Sequence, residues 1–373
     1  MKFVKTDELK KGMRLARPIY NKSGVLLFDR NSLLTSQAID SVRNFGLLGI
    51  YILEPAEPLP PMSEEDIEFE RFQMMAVSAI QEEMSKILVN KRQARMQSIV
   101  SMIIKKYGHQ DGKINFYQYL RSREDFVFRH SLNVAILCTL MGHVMNISIQ
   151  ELTQTVCAAL IHDIGKLGYS SESVYGDVSG DEELLKLYDV QLRAADIIEE
   201  AFSPDGTNIR RICVQALRMQ MNMINGEKMS SNMKLLTGAK ILMVANRYDE
   251  ITGMNLKGNA QNEVKAIQEF MDHLDVYDPA VVNALVQSIN ILFPGVSIEL
   301  STGEKAMVLV ENNANVLRPT VLSFLDNSII DLSLPVNEDI QVVDIMKTLD
   351  NRYIMDTETL RNAGYGVNKK EEE

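Results

Sequence analysis

His162 and Asp163 are adjacent in the string AALIHDIGK and end an apolar run with an imidazole beside a carboxylate. Nitrogen and oxygen donors of this kind suit Fe, Mn, Zn or Mg, so the pair is the first candidate for metal chemistry. Alone, such a dipeptide is by default a surface or capping pair. It does not stand alone. His130 lies about thirty residues upstream in REDFVFRHSLNVAIL, near the start of an apolar helix that packing can bring beside His162. About eighty residues downstream, AKILMVANRYDEI is a third helix with a polar interruption in an apolar face. The chain has five histidines, at 109, 130, 143, 162 and 273. His109 falls in a turn, His143 is too far along the helix of His130 to share its ion, and His273 comes late in the chain. Two histidines remain as ligands, too few for a histidine-rich centre of two or three metals.

The elements that must position these residues are helices. Ser148 and Glu151 form a capping box that opens IQELTQTVCAALIHDIG, with Gly165 as the expected stop. Residues 115–290 read as helical nearly throughout, with further helices over 181–202, 207–224, 232–252, 261–274 and 279–291. Residues 63–107 contain no Gly or Pro, and Ser63 with Asp66 makes another capping box. Phe69, Phe72, Ile80, Met84, Ile87, Met96, Ile99 and Ile103 keep helical spacing across that stretch, as one long helix or two in succession. Their stripe either packs on its own domain or pairs two protomers into a homodimer.

Around this frame the texture changes twice. Residues 1–53 alternate short apolar runs with turn signals, and Thr35 and Gly46 bound the helix SQAIDSVRNF, which describes a small α+β module. EPAEPLPP then holds four of the ten prolines and marks a linker over 54–62. After Pro294, VSIEL, AMVLV and VLRPTVLSFLD alternate with period two around turns, a small β module over 293–345 followed by a charged tail over 346–373. The expected class is mainly α: a connecting helix or helices at 63–114 and a helical bundle at 115–292, flanked by the two small modules.

Composition excludes several classes. With 46% apolar and 24% charged residues over 373 positions, the chain can bury a real core and is neither disordered nor fibrous. Its net charge of −11 makes it a poor general binder of nucleic acid or of an anionic membrane. Cys138, Cys157 and Cys213 read as buried, reduced thiols. No export signal and no run of about 18 apolar residues is present, so a cytoplasmic location is expected.

The strings DFVFRHSLNV and HDIGK resemble the HD superfamily of metal-dependent phosphohydrolases, and more closely its HD-GYP branch. ILMVANRYDEI, VYDPAVV and the β module with Arg318-Pro319 are similar to that branch as well, as is the module ahead of the bundle. The resemblance implies a helical bundle binding two or three Fe or Mn ions and hydrolysing a phosphodiester of cyclic di-GMP. It implies metal ligation by His130, His162 and Asp163, with Lys166 facing the scissile phosphate. Several positions depart from the family pattern. Asp189 stands where the family has a histidine, Gln220 and Met221 replace two more, Asn222 replaces a glutamate, Asn246 replaces the last aspartate, and the Gly-Tyr-Pro signature is missing.

The expectation is therefore one Fe, Mn or other divalent ion on His130, His162, Asp163 and Asp189 or Asn246, or no ion. The corresponding function is a degenerate HD-GYP-like receptor or partner-binding module in cyclic di-GMP signalling, with phosphodiesterase activity impaired or lost. The alternative is a phosphohydrolase working on cyclic di-GMP or another nucleotide through a single ion, with Asp163 and Lys166 as catalytic residues.

Overall fold

The computed structural model describes residues 2–21, 24–53, 64–116, 118, 121, 125–168, 181–226, 234–253 and 261–346. The chain divides into two compact units, one of Phe3–Ile52 with Pro61–Asn290 and one of Ile291–Glu373 with Met1–Lys2 and Leu53–Pro60. The class is mainly α with small sheets toward both ends, as the periodicities predict.

In the N-terminal module, strands β1 (Lys2–Lys5), β5 (Gly49–Leu53) and β2 (Arg14–Leu15) form one sheet in that order. Strands β3 (Ile19–Tyr20) and β4 (Leu26–Phe28) form a separate hairpin. Helix α1 (Ser36–Asn44) starts where Thr35 accepts the amide of Ala38 at 3.1 Å and ends before Gly46, whose φ of +66° is the left-handed conformation glycine tolerates. Val4, Leu15, Leu34, Val42 and Ile50 form its core.

The connecting stretch is two helices, α2 (Glu64–Asn90) and α3 (Met96–Tyr107). No Gly or Pro separates them; the break is made by Lys91 at φ +50° and by buried Glu83. The Glu83 carboxylate accepts the amides of Ala94 and Arg95 (2.6 Å to Arg95), caring for two donors exposed at the start of α3. The apolar stripe, Phe69, Ile80, Met84, Ile87, Ile99 and Ile103, is buried within this single chain. The capping box of Ser63 and Asp66 lies outside the described residues.

Helix α4 (Phe126–Val144) is predominantly apolar and buried from Phe128 to Gly142, so it is the central rod of the bundle. Around it pack α2, α3, α5 (Ile149–Ile161), α8 (Thr237–Thr252) and α10 (Pro279–Ser288), while α6 (Asp181–Ala201) and α7 (Gly206–Ile224) pair with each other and α9 (Glu263–Asp272) lies on α8. Ser148 caps α5 by accepting the Glu151 amide at 3.2 Å. Gly165 does not stop that helix with a left-handed residue. It sits in a 3-10 turn over Ile164–Gly168, where a Cβ would come within 3.1 Å of Ala194 Cβ and of the Gln191 backbone. The glycine lets this turn lie directly on α6. Cys138, Cys157 and Cys213 are buried free thiols, and burial pushes the Cys157 thiol up to about 12.

In the second unit, β6 (Ser297–Leu300), β7 (Lys305–Val310), β8 (Thr320–Ser323), β9 (Ile329–Asp331) and β10 (Val342–Met346) form an antiparallel sheet of order β10-β6-β7-β8-β9. Arg318 serves this fold: its guanidinium donates to the carbonyls of Asn337 at 2.9 Å and Ile340 at 2.7 Å, fastening the segment before β10. The linker 54–62 and all of the tail but Met346 lie outside the described residues.

Candidate metal centre

Three segments converge on one point: the first turns of α4, the end of α5 and the middle of α8. His130 Nε2 and His162 Nε2 are 3.3 Å apart, and Asn246 Oδ1 lies 2.8 Å from the first and 2.9 Å from the second. Asp163 brings Oδ2 to 3.5 Å from His130 Nε2 and Oδ1 to 3.5 Å from His162 Nε2. Ligand atoms of His130, His162 and Asp163 all fall within 4.8 Å of one another.

What surrounds each group decides its protonation. The Nδ1–H of His130 donates to Asp249 Oδ2 at 2.6 Å, and that of His162 to the Ala159 carbonyl at 2.8 Å. The other ring nitrogen of each, Nε2, faces the centre. Asn246 Nδ2 donates to Glu250 Oε1 at 3.0 Å, which turns the amide oxygen inward. Burial pulls the His162 pKa down, against the field of Asp163, so its ring is neutral. Burial alone would raise the Asp163 carboxyl, but the Lys166 ammonium, by its charge and its hydrogen bond, overrides it and holds the group well below the usual carboxylate range. Ligand atoms of His130, His162 and Asp163 thus converge, with Asn246 Oδ1 beside them, as a group that could hold a metal ion.

Behind His130 stands a buried polar shell that sequence reasoning did not single out. Asp249 accepts from Arg121 Nη2 at 2.7 and 2.8 Å, from Asn133 Nδ2 at 2.8 Å and from Gln118 Nε2 at 3.1 Å. Burial would raise its pKa, and the Arg121 guanidinium brings it down instead. Gln73 of α2 donates to Asn133 Oδ1 at 3.2 Å, and Leu48 of the N-terminal module donates its amide to the Arg121 carbonyl at 3.3 Å. Gly253, after α8, is required by close approach: a Cβ there would sit 2.7 Å from Arg121 Nη2 and 2.5 Å from the Asp249 carbonyl. The signal available beforehand was spacing. Asn246 and Asp249 are three residues apart on one apolar helix, as are His130 and Asn133, so each pair shares a face.

The remaining expected residues separate. Lys166 is buried and its Nζ donates to Asp163 Oδ2 at 2.7 Å, so it touches the ligand carboxylate. Asp189 is exposed on α6 and does not reach the cluster. Two residues farther along the same helix, Gln191 donates to Asp163 Oδ1 at 2.5 Å. Gln220 lines a cavity of about 20 Å³ together with His162, Gln191, Cys213, Met243 and Asn246, room for about one water. Met221 and Asn222 are half-buried and do not line it.

The residues present fit a single divalent ion. Beyond the four converging acceptors, Gln191 Oε1 is buried at this cavity without a hydrogen-bond partner among the described residues. Two histidines and an aspartate aimed at one point, with a carboxylate behind one ring, are a donor set that could hold a metal ion. Residues 127–251, about a third of the chain, match the model of the HD domain, and the match supports the HD superfamily of metal-dependent phosphohydrolases for this segment. It begins at the start of α4 and ends on α8, the two helices that carry His130, Asn246 and Asp249. No curated protein and no solved structure matches the chain.

Proposed function

We propose that the helical unit is a single-ion HD domain of the HD-GYP type, acting as a receptor or partner-binding module in cyclic di-GMP signalling with phosphodiesterase turnover impaired or lost. The observation that carries this reading is the donor set around the cavity. Acceptors for one ion converge, while the cavity beside them is lined by the amides of Gln191 and Gln220, and Asn246 is itself neutral. Neutral amides bind hard cations more weakly than carboxylates. His130, His162, Asp163 and Asn246 would hold the ion, which when bound supplies Lewis acidity and a more acidic water. Asp249 keeps the His130 ring turned inward, and Gln191 and Lys166 hold Asp163 in place.

A second reading, a working single-ion phosphohydrolase, is favoured by the water-sized space beside His162 and Asn246. In it, Asp163 would help hold the ion, and Lys166, whose Nζ lies 2.7 Å from Asp163 Oδ2, would be the cation placed to neutralise a phosphate. One experiment separates the two: metal content and cyclic di-GMP turnover measured on the same preparation after anaerobic loading with Mn or Fe. The receptor reading expects one ion per chain, lost in Asp163→Ala, with dinucleotide bound but unhydrolysed. Turnover at enzymatic rates that disappears in Asp163→Ala would overturn it in favour of the second.

A further inference from the structure

Helix α7 carries Arg210, Arg211 and Arg218 and no aspartate or glutamate, three positive charges within nine residues of a chain whose net charge is −11. At about 100° per residue these three positions fall within roughly one quadrant of the helix. With Leu192, Val214 and Gln215 they line a cavity of about 360 Å³ between α6 and α7, within the size range of small-molecule sites. Arg210 is compensated there, donating to Asp196 Oδ1 at 2.9 Å with Glu199 Oε2 at 3.4 Å. Arg211 and Arg218 are exposed, and their side chains make no ion pair or hydrogen bond with any described residue. Gln215 fixes one wall, accepting the Leu236 amide at 2.9 Å and donating to the Lys234 carbonyl at 3.4 Å, which brings a further basic residue into the neighbourhood. Val214 lines both this cavity and the small one at the metal centre, so the two adjoin through one side chain.

We propose that the cavity between α6 and α7 binds a small anion bearing two or more phosphate groups, gripped by Arg211 and Arg218. Guanidinium groups pair bidentately with phosphate oxygens, and each such charged contact is stronger than a neutral hydrogen bond. Seven residues of helix separate the two arginines by a rise of about 10 Å, a span suited to a chain of phosphates rather than to a single one. The inference rests on the charge pattern of α7 and not on metal binding, so each can fail without the other.

The test is calorimetric titration of inorganic tripolyphosphate into the full-length protein after chelation and dialysis, which removes any contribution from a bound metal. Saturable binding at one site is expected, weakened by tenfold or more in Arg211→Ala/Arg218→Ala, since two charge-assisted contacts are lost. Inorganic phosphate should bind more weakly than tripolyphosphate, and unchanged thermal melting of the double variant would show that it folds. Absence of saturable binding, equal affinity in the double variant, equal affinity for phosphate, or binding only after metal is added would each overturn the proposal.

Discussion

Behind His130, every oxygen of Asp249 is matched by a donor from Arg121, Gln118 or Asn133; across the cavity, on α6 and α7, Gln191 and Gln220 present neutral amides and Gln191 Oε1 is unmatched among the described residues. Both flanks belong to one site, yet they obey different physical demands. A buried carboxylate is tolerable only when charge and hydrogen bonds compensate it, and Asp249 is compensated by protein donors alone, while Arg121 Nε behind it has no partner among the described residues. The opposite flank gains its missing partner only when something enters the cavity. One flank is therefore read as architecture that aims a ring, and the other as the surface that sets which ligand the ring meets.

The largest expected effect lies on the compensated flank. Asp249→Ala strands the buried Arg121 guanidinium and should cost about 3–5 kcal/mol in urea unfolding, because an uncompensated buried charge remains. It should also weaken Mn binding by about 10–100-fold through the freed His130 ring. If unfolding free energy changed by less than about 1 kcal/mol, the shell would not be the structural element described here. Gly253→Ala probes the same shell from the backbone, since the added methyl meets Arg121 Nη2; a loss of about 1–3 kcal/mol is expected, the usual range for overpacking.

On the cavity flank the expected effect is on affinity and has the opposite sign. Asn246→Asp adds a charged oxygen where the amide oxygen now faces both imidazoles, and should tighten Mn or Fe binding by about tenfold or more, read by competition with a chelating dye. The same change places a carboxylate beside Glu250, so the metal-free variant should melt at a lower temperature than the wild type and recover when metal is added. Unaltered affinity would mean that Asn246 is not a ligand position.

How much of this was legible beforehand depended on the range of the interaction. Caps at Thr35 and Ser148 and the glycine after α1 are local hydrogen-bond chemistry, and a short window contains every atom involved. His130, His162 and Asp163 stand out as polar residues in apolar helical strings, and the motif resemblance adds Asn246 and the ligand roles. Asp249 was passed over because its partners lie 116 to 131 residues away, and nothing nearby marks it as the orienting carboxylate. Asp189 was the natural carboxylate to choose, yet a two-residue offset on a helix is a rotation of about 200°, which leaves Asp189 in solvent and turns Gln191 to Asp163. The break between α2 and α3 was equally hidden, since it is made by a glutamate eleven residues before the amides it caps. Gly165 looked like a helix stop because no local pattern records that another helix presses on it.

The smallest effect tests whether burial, and not mere pairing, separates the two behaviours. Helix α8 carries another ion pair toward its other end, where Lys240 Nζ donates to Asp278 Oδ2 at 2.7 Å, with both side chains about 30% exposed. Asp278 also caps α10 by accepting the Ala280 amide at 2.9 Å. Lys240→Ala should cost no more than about 1 kcal/mol, because water screens the pair, and Asp278→Ala about 1 kcal/mol, mostly as a lost cap. The hydrogen bond from Lys240 holds the Asp278 carboxyl below its ordinary value. A depressed carboxylate contributes stability that is complete above its unfolded pKa, near 4, and is lost as pH falls through the lower folded value. The gap in unfolding free energy between wild type and Asp278→Ala should thus be constant from pH 8 to about 5 and narrow only below about 4. A gap that matched the Asp249→Ala penalty, or widened on acidification, would show that this exposed pair behaves like the buried one, and the distinction drawn between the flanks would lose its physical basis.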